Sequence, residues 1–151
     1  MLSAGDRAPA FALPDAVTGD VVSDPWAGGR TVLVFFKVNC PVCHMVAPKV
    51  TALAESGVRV LAVGQDPPAR LIAYAQEKGQ AVPTVSEVAP YPVSSSFGIA
   101  SVPTLFDVGA DGVVLDAVAA WDRERWNEVA AAHGAPPLSA DGDGLPPYRP
   151  G

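Results

Sequence analysis

Residues 31–38 read TVLVFFKV, and Asn39 alone separates that run from Cys40-Pro41. An unbroken β-branched and aromatic run predicts a strand buried on both faces. Proline at a first helical position predicts a helix start, because the missing N–H has no intrahelical partner to lose. The chain is therefore expected to pass from the middle of a sheet straight into a helix that opens on CPVCHMVAP (40–48). Cys43, Val46, Val50 and Leu53 recur at helical spacing with Ala47 and Ala54, while His44, Thr51 and Glu55 fall on the opposite face. Gly57 is expected to end the helix.

The remaining segments extend that pattern. Residues 1–30 read as irregular, with a short strand near Val21-Val22. VRVLAVG (58–64) predicts a second buried strand, and a helix over roughly 68–78 is expected to turn Leu71, Ile72 and Ala75 inward before Gly79 closes it. Residues 80–102 read as a short strand and a turn-rich connection. TLFDV (104–108), Ala110-Asp111-Gly112 and VVLDAVAA (113–120) predict a hairpin, and Asp122 caps a last helix over about 123–133. The order β-α-β-α-β-β-α implies an α/β fold with a mixed central sheet and helices on both faces. We place one domain over 1–134 and a Pro/Gly-rich tail over 135–151, which Leu138, Leu145 and Tyr148 are expected to pin to the body.

Composition excludes several function classes. At 151 residues, with 49% apolar and 17% charged residues, the chain suits one globular domain. A net charge of -6 argues against a nucleic-acid surface, which needs a basic face. No segment approaches the ~20 apolar residues of a membrane span, and MLSAGDRAPAFALPD lacks a signal-like apolar stretch. The expectation is a cytoplasmic monomer. Its two cysteines then point to catalytic or metal-binding thiols and not to a structural staple.

CPVCH fits three chemistries. Haem attachment would use both thiols with His44 as axial ligand; Met45 is too close in sequence to serve the other haem face, which leaves His133. Structural zinc wants four ligands, and two cysteines with two histidines, one beside Cys43, supply them awkwardly. A redox dithiol explains more. At a helix N-terminus the Cys40 thiolate meets unpaired N–H groups and the positive end of the helix dipole, which favour the nucleophile. Cys43 turns onto the apolar face, so one sulfur is presented to substrate and the other is kept inside to resolve a mixed disulfide. No metal and no organic cofactor is expected, only a redox-active Cys40–Cys43 disulfide.

CPVCHMVAP, with Pro48 five residues after the second cysteine, resembles the active-site helix of the thioredoxin superfamily. GIASVPTLF (98–106) resembles the segment that sets a cis-proline against the dithiol, and GDRAPAFALPDAVTG, YPVSSSFGIASVPTLF and PPYRPG resemble the redoxin branch, which holds AhpC/TSA-type peroxiredoxins and TlpA-like disulfide reductases. The resemblance implies a single thioredoxin-like fold and a thiol–disulfide oxidoreductase. It implies that Val102, Pro103 and Thr104 hold substrate, with Val102 pairing the substrate chain in a strand-like manner. Protein or small-molecule disulfides and an upstream thiol reductant are the implied partners. Val34 stands where thioredoxin buries an acid, and Asn39 where a tryptophan usually precedes the first cysteine. Leu33 and Lys37 stand where the peroxiredoxin Pro-x-x-x-Thr-x-x-Cys pattern has its proline and threonine. Two alternatives accompany the main reading: a thiol peroxidase, and a c-type haem electron carrier.

Smaller features have a functional and a plain reading. Lys37 either stabilises the thiolate or is a strand-end lysine reaching water. His44 either tunes the dithiol or is a solvated histidine on the polar helix face. Gln65 follows the second strand, where related reductases place a polar group near the inner cysteine, and Asp66 is equally a helix cap. Pro41 and Val42, between the cysteines, are further tuning positions. Trp26, Trp121 and Trp126 read as packing.

Overall fold

The computed structural model describes residues 1–151. A short hairpin of β1 (Ala12–Pro14) and β2 (Val21–Ser23) leads through a 3-10 turn at Pro25–Gly28 into β3 (Thr31–Phe36), all six residues of which are buried. Then come α1 (Pro41–Glu55), β4 (Val60–Gly64), α2 (Pro68–Lys78), β5 (Thr84–Ser86), α3 (Pro92–Ser96), β6 (Thr104–Val108) and β7 (Val114–Ala119). The chain closes with β8 (Trp121–Asp122), α4 (Arg123–Ala132) and β9 (Tyr148–Arg149). Four elements exceed the expectation: β1, the five-residue α3, β8, and β9 within a tail read as irregular.

The central sheet has the order β5-β4-β3-β6-β7, with β3, β4 and β5 parallel and β6 and β7 antiparallel to their neighbours. Adjacent residues of β3 point to opposite faces. Phe36 meets Tyr74 of α2 at 4.9 Å between ring centroids, and Phe35 meets Phe97, just after α3, at 5.2 Å. Helices therefore cover both faces, as the chain order implied. The close fit of α2 requires Gly64, where a Cβ would lie 2.3 Å from Leu71.

Register decides where chemistry is possible. Phe36 of β3 lies opposite Gly64 of β4, Gly64 opposite Ser86 of β5, and Phe35 opposite Thr104 of antiparallel β6. The residues after β3, β4 and β5 and those before β6 consequently gather at one end of the sheet.

Several expectations are corrected. Leu71 and Tyr74 face the core from α2, while Ile72 is 40% exposed. The stripe runs i, i+3 because the Tyr74 ring stacks on Phe36. Asp66 does not cap α2; it accepts the Val38 N–H at 2.9 Å and pairs with Arg70 at 3.3 Å. His133 is held by the buried Asp107, at 3.0 Å, beside the Arg30 guanidinium that grips the same carboxylate at 2.6 Å. Trp26, Trp121 and Trp126 are core residues, in keeping with their reading as packing. In the tail Leu138 is buried and Leu145 packs on the core, but Tyr148 is exposed and holds through β9 pairing with β8.

Candidate active site

Cys40 is the N-cap of α1, and Pro41 is its first helical residue. The Cys43 N–H donates to Cys40 Sγ at 3.2 Å, so the sulfur satisfies one of the amides left free at a helix start. On its other side the Cys40 thiol donates to the Val102 carbonyl at 3.5 Å. Both cysteines are free thiols. Cys43 is 1% exposed among the apolar residues of α1, as its helical position implied. Cys40 is only 4% exposed, so the expectation of an openly presented sulfur is corrected: the Val102 segment roofs it.

This geometry separates the two thiols. The Cys40 pKa is pulled down to about 6, first by the hydrogen bond from the Cys43 thiol, with burial opposing, then by the Cys43 and Val42 N–H groups and the Lys37 ammonium. The Cys43 pKa is pushed up, first because its thiol donates to Cys40, then by burial and by the charge of Cys40. The lower value belongs to the sulfur beside the cleft.

Val102-Pro103 is a cis bond, and Pro103 sits across the sheet end from Cys40. Thr104 turns its hydroxyl to the Ser101 carbonyl at 2.8 Å, which holds the loop that carries Val102. A cleft of about 270 Å³ at the dithiol is lined by Lys37, Asn39, Cys40, Pro41, Val42 and the 100–102 segment, joined by Gly151. Beside it, a cavity of about 220 Å³ shares Lys37 and Val102 and adds Gln65, Tyr91 and Ser94. Of the proposed tuning residues, Lys37, Pro41 and Val42 thus line the dithiol cleft and Gln65 the neighbouring cavity. His44 does not reach the dithiol cleft. Its Nε2 rests on the Val38 carbonyl at 2.5 Å and its ring lies 5.8 Å from that of Tyr74, so it is half-buried.

Three contributors escaped the sequence reading. Glu87, 1% exposed, accepts from the backbone N–H of Val93 and from the Ser94 N–H and hydroxyl, the latter at 2.6 Å. Ser94 in turn accepts from Gln65 Nε2 at 2.9 Å, which ties α3 to the cavity wall. Tyr74 lies buried behind the dithiol with a hydroxyl that has no partner, and its pKa is raised by burial and then by the two sulfurs. Gly151 is the third. Pro92 at an N1 position was the one available signal for α3.

The profile of the AhpC/TSA family matches residues 4–117. The chain belongs to the AhpC/TSA family. Two Mycobacterium tuberculosis relatives, from strains CDC 1551 / Oshkosh and ATCC 25618 / H37Rv, are each named "Putative peroxiredoxin" and are 29% identical over 91 residues. That match takes in 57% of this chain and 58% of the relative, so the chain spans little more than half the length of these relatives. Among solved structures, the peroxidoxin BcpB of M. tuberculosis superposes with a TM-score of 0.65 at 24% identity, covering 78% of this chain and 86% of that one. A thiol:disulfide interchange protein from Bacteroides sp. gives a TM-score of 0.73 at 18% identity over 95% of each chain. A secreted M. tuberculosis disulfide oxidoreductase homologous to E. coli DsbE gives 0.66 at 16% identity, over 81% of this chain and 95% of that one. These structures share the thioredoxin-like fold.

Proposed function

We propose that the protein is a thiol–disulfide oxidoreductase in which Cys40 is the nucleophile and Cys43 the resolving thiol. The observation that carries this reading is the inequality of the pair: Cys43 donates to Cys40 Sγ, and the Cys40 pKa falls to about 6 while that of Cys43 rises. The Cys40 thiolate attacks one sulfur of a substrate disulfide, the substrate S–S bond breaks, and one half leaves as a thiolate that takes a proton from solvent. Cys40 is then uncharged, which removes the charge that held the Cys43 proton. Cys43 attacks Cys40 Sγ, the mixed disulfide breaks, and the Cys43 proton passes to the departing sulfur, so that the second half of the substrate leaves as a thiol. Two electrons have passed to substrate and a Cys40–Cys43 disulfide remains, which an upstream thiol reductant returns to the dithiol. Val102, Pro103 and Thr104 form the substrate-facing loop, with Lys37 favouring the Cys40 thiolate. No metal or organic cofactor enters the cycle.

A second reading, thiol peroxidase, draws support from the names of the two mycobacterial relatives. Leu33 and Lys37 weigh against it, since no hydroxyl stands three residues before Cys40. The haem reading would require thioether formation at Cys43, which is 1% exposed, with His44 already held against Val38. Mixing the pre-reduced protein with bis(hydroxyethyl) disulfide or with hydrogen peroxide separates the first two. Loss of both thiols with the disulfide, and slow oxidation by peroxide, is the expected result. Fast, saturating oxidation by peroxide with no reaction toward the disulfide would overturn it.

A further inference from the structure

The tail is fastened to the body at a series of points and delivered to the dithiol. Asn127 of α4 takes the N–H of Leu138 at 2.8 Å, and Lys49 of α1 pairs with Asp143 at 3.2 Å. The half-buried Arg123 guanidinium binds Asp141 and the Leu145 carbonyl, both at 2.7 Å. Trp121 Nε1 donates to the Pro146 carbonyl at 2.7 Å, and the Arg123 N–H to the Pro147 carbonyl at 2.9 Å. Tyr148 and Arg149 then pair with Asp122 and Trp121 as β9. Ala120, just before β8, donates to the Pro103 carbonyl at 2.9 Å, so a strand laid along β8 is carried toward the loop above Cys40.

Gly151 arrives there. A Cβ at this position would lie 2.1 Å from the Val102 carbonyl oxygen and 2.8 Å from its carbon, so the backbone is already in contact with the group that accepts the Cys40 thiol. Val102 retains 5% of its surface and Cys40 4%. An extended polypeptide pairing with Val102 would need the space that the chain's own tail fills. What stays open is the cleft of about 270 Å³ at Cys40, which Gly151 itself helps to line, and beside it the cavity of about 220 Å³ with Gln65, Ser94 and Ser95, each smaller than the roughly 300–1,000 Å³ that drug-sized ligands occupy.

We propose that Tyr148–Gly151 is a built-in wall of the dithiol cleft, lying on the edge where a polypeptide substrate would pair, and that the substrate is a small, polar, low-molecular-weight disulfide. This rests on the oxidoreductase reading and narrows it. The tail excludes by position: it makes no bond with either sulfur, and the fastenings at residues 138–149 hold it in place. Electron flow is unchanged, with two electrons passing from the dithiol to the small disulfide and two small thiols leaving.

The test compares the full chain with a variant lacking Pro150 and Gly151, which keeps every fastening named above and should melt at the same temperature. Second-order rate constants of the pre-reduced proteins are measured with bis(hydroxyethyl) disulfide and with insulin. The expected result is a full chain that prefers the small disulfide, and a variant about tenfold faster with insulin, the worth of one or two regained backbone hydrogen bonds, but within about twofold for the small disulfide. An unchanged insulin rate would overturn the proposal, and so would an equal rise for both substrates, which would mean that the tail governs Cys40 reactivity and not admission. If neither protein reacts with either disulfide, the oxidoreductase reading itself fails. A full chain that reacts with the small disulfide but handles insulin as fast as the variant removes only the wall.

Discussion

The Cys43 backbone N–H donates to Cys40 Sγ at 3.2 Å, and the neighbouring Cys43 side chain lowers the Cys40 pKa further. A single helical turn thus supplies the acidity of one thiol and the inertness of the other. The Cys43 thiol is the largest contributor, ahead of the amides, and the Lys37 charge is the smallest.

The ranking has a pH signature. Alkylation of Cys40 by a small reagent such as iodoacetamide should rise with pH about a midpoint near 6. Cys43→Ala should move that midpoint upward further than Lys37→Gln does. Because the folded pKa lies below the ordinary thiol value of about 8.5, the thiolate stabilises the reduced fold above that value and loses its contribution as pH falls through 6. The reduced protein should therefore gain stability over Cys40→Ala between these two pH values, at no more than about 1.4 kcal/mol per pH unit. A Cys40 midpoint above 8, or a larger shift from Lys37→Gln, would contradict the ranking.

Glu87 holds the wall of the polar cavity. Its carboxylate accepts from two backbone amides at the start of α3 and from the Ser94 hydroxyl. Glu87→Ala strands those buried donors, and the expected loss is about 2–4 kcal/mol. Amide exchange over residues 92–97 should accelerate more than exchange in β3. A uniform loss across the molecule would show that Glu87 supports the whole core and not this segment in particular.

Tyr74 buries a hydroxyl without a partner behind the dithiol. Tyr74→Phe keeps the stacking on Phe36 and removes the unsatisfied group, so stability should rise by roughly 1 kcal/mol. Chemical denaturation of both proteins in the reduced state measures it. A loss of more than about 1 kcal/mol would mean that the hydroxyl has a bonding role, through water or a sulfur.

The parts of the fold legible in the sequence are those written as contiguous patterns. β3 runs unbroken from Thr31 to Phe36, Pro41 opens α1 at the cysteine, Asp111-Gly112 turns the hairpin, and Asp122 caps α4 by accepting the Arg125 N–H at 3.1 Å. The cis bond at Val102-Pro103 was legible through the Val-Pro-Thr match. What was not legible depends on distant partners. PVSSS has too few turns to show an apolar period, and α3 stands because Glu87 satisfies its first amides. The orientation of Ile72 followed from a stacking partner on β3. The path of the tail follows from Arg123 and Trp121, residues more than twenty positions away from the carbonyls at 145 and 146 that they bind. No local signal could place Gly151 at the dithiol.

The central claim is the division of labour between the two sulfurs, and a trapping experiment tests it most directly. Cys43→Ser and Cys40→Ser, each fully reduced, are mixed with bis(hydroxyethyl) disulfide at pH 7 and followed by intact-protein mass. Cys43→Ser is expected to accumulate one stable adduct on Cys40, while Cys40→Ser stays unmodified, its remaining thiol buried at 1% exposure. Rapid adduct formation on Cys43 in the Cys40→Ser protein, with none on Cys40 in the other, would reverse the roles and contradict the account.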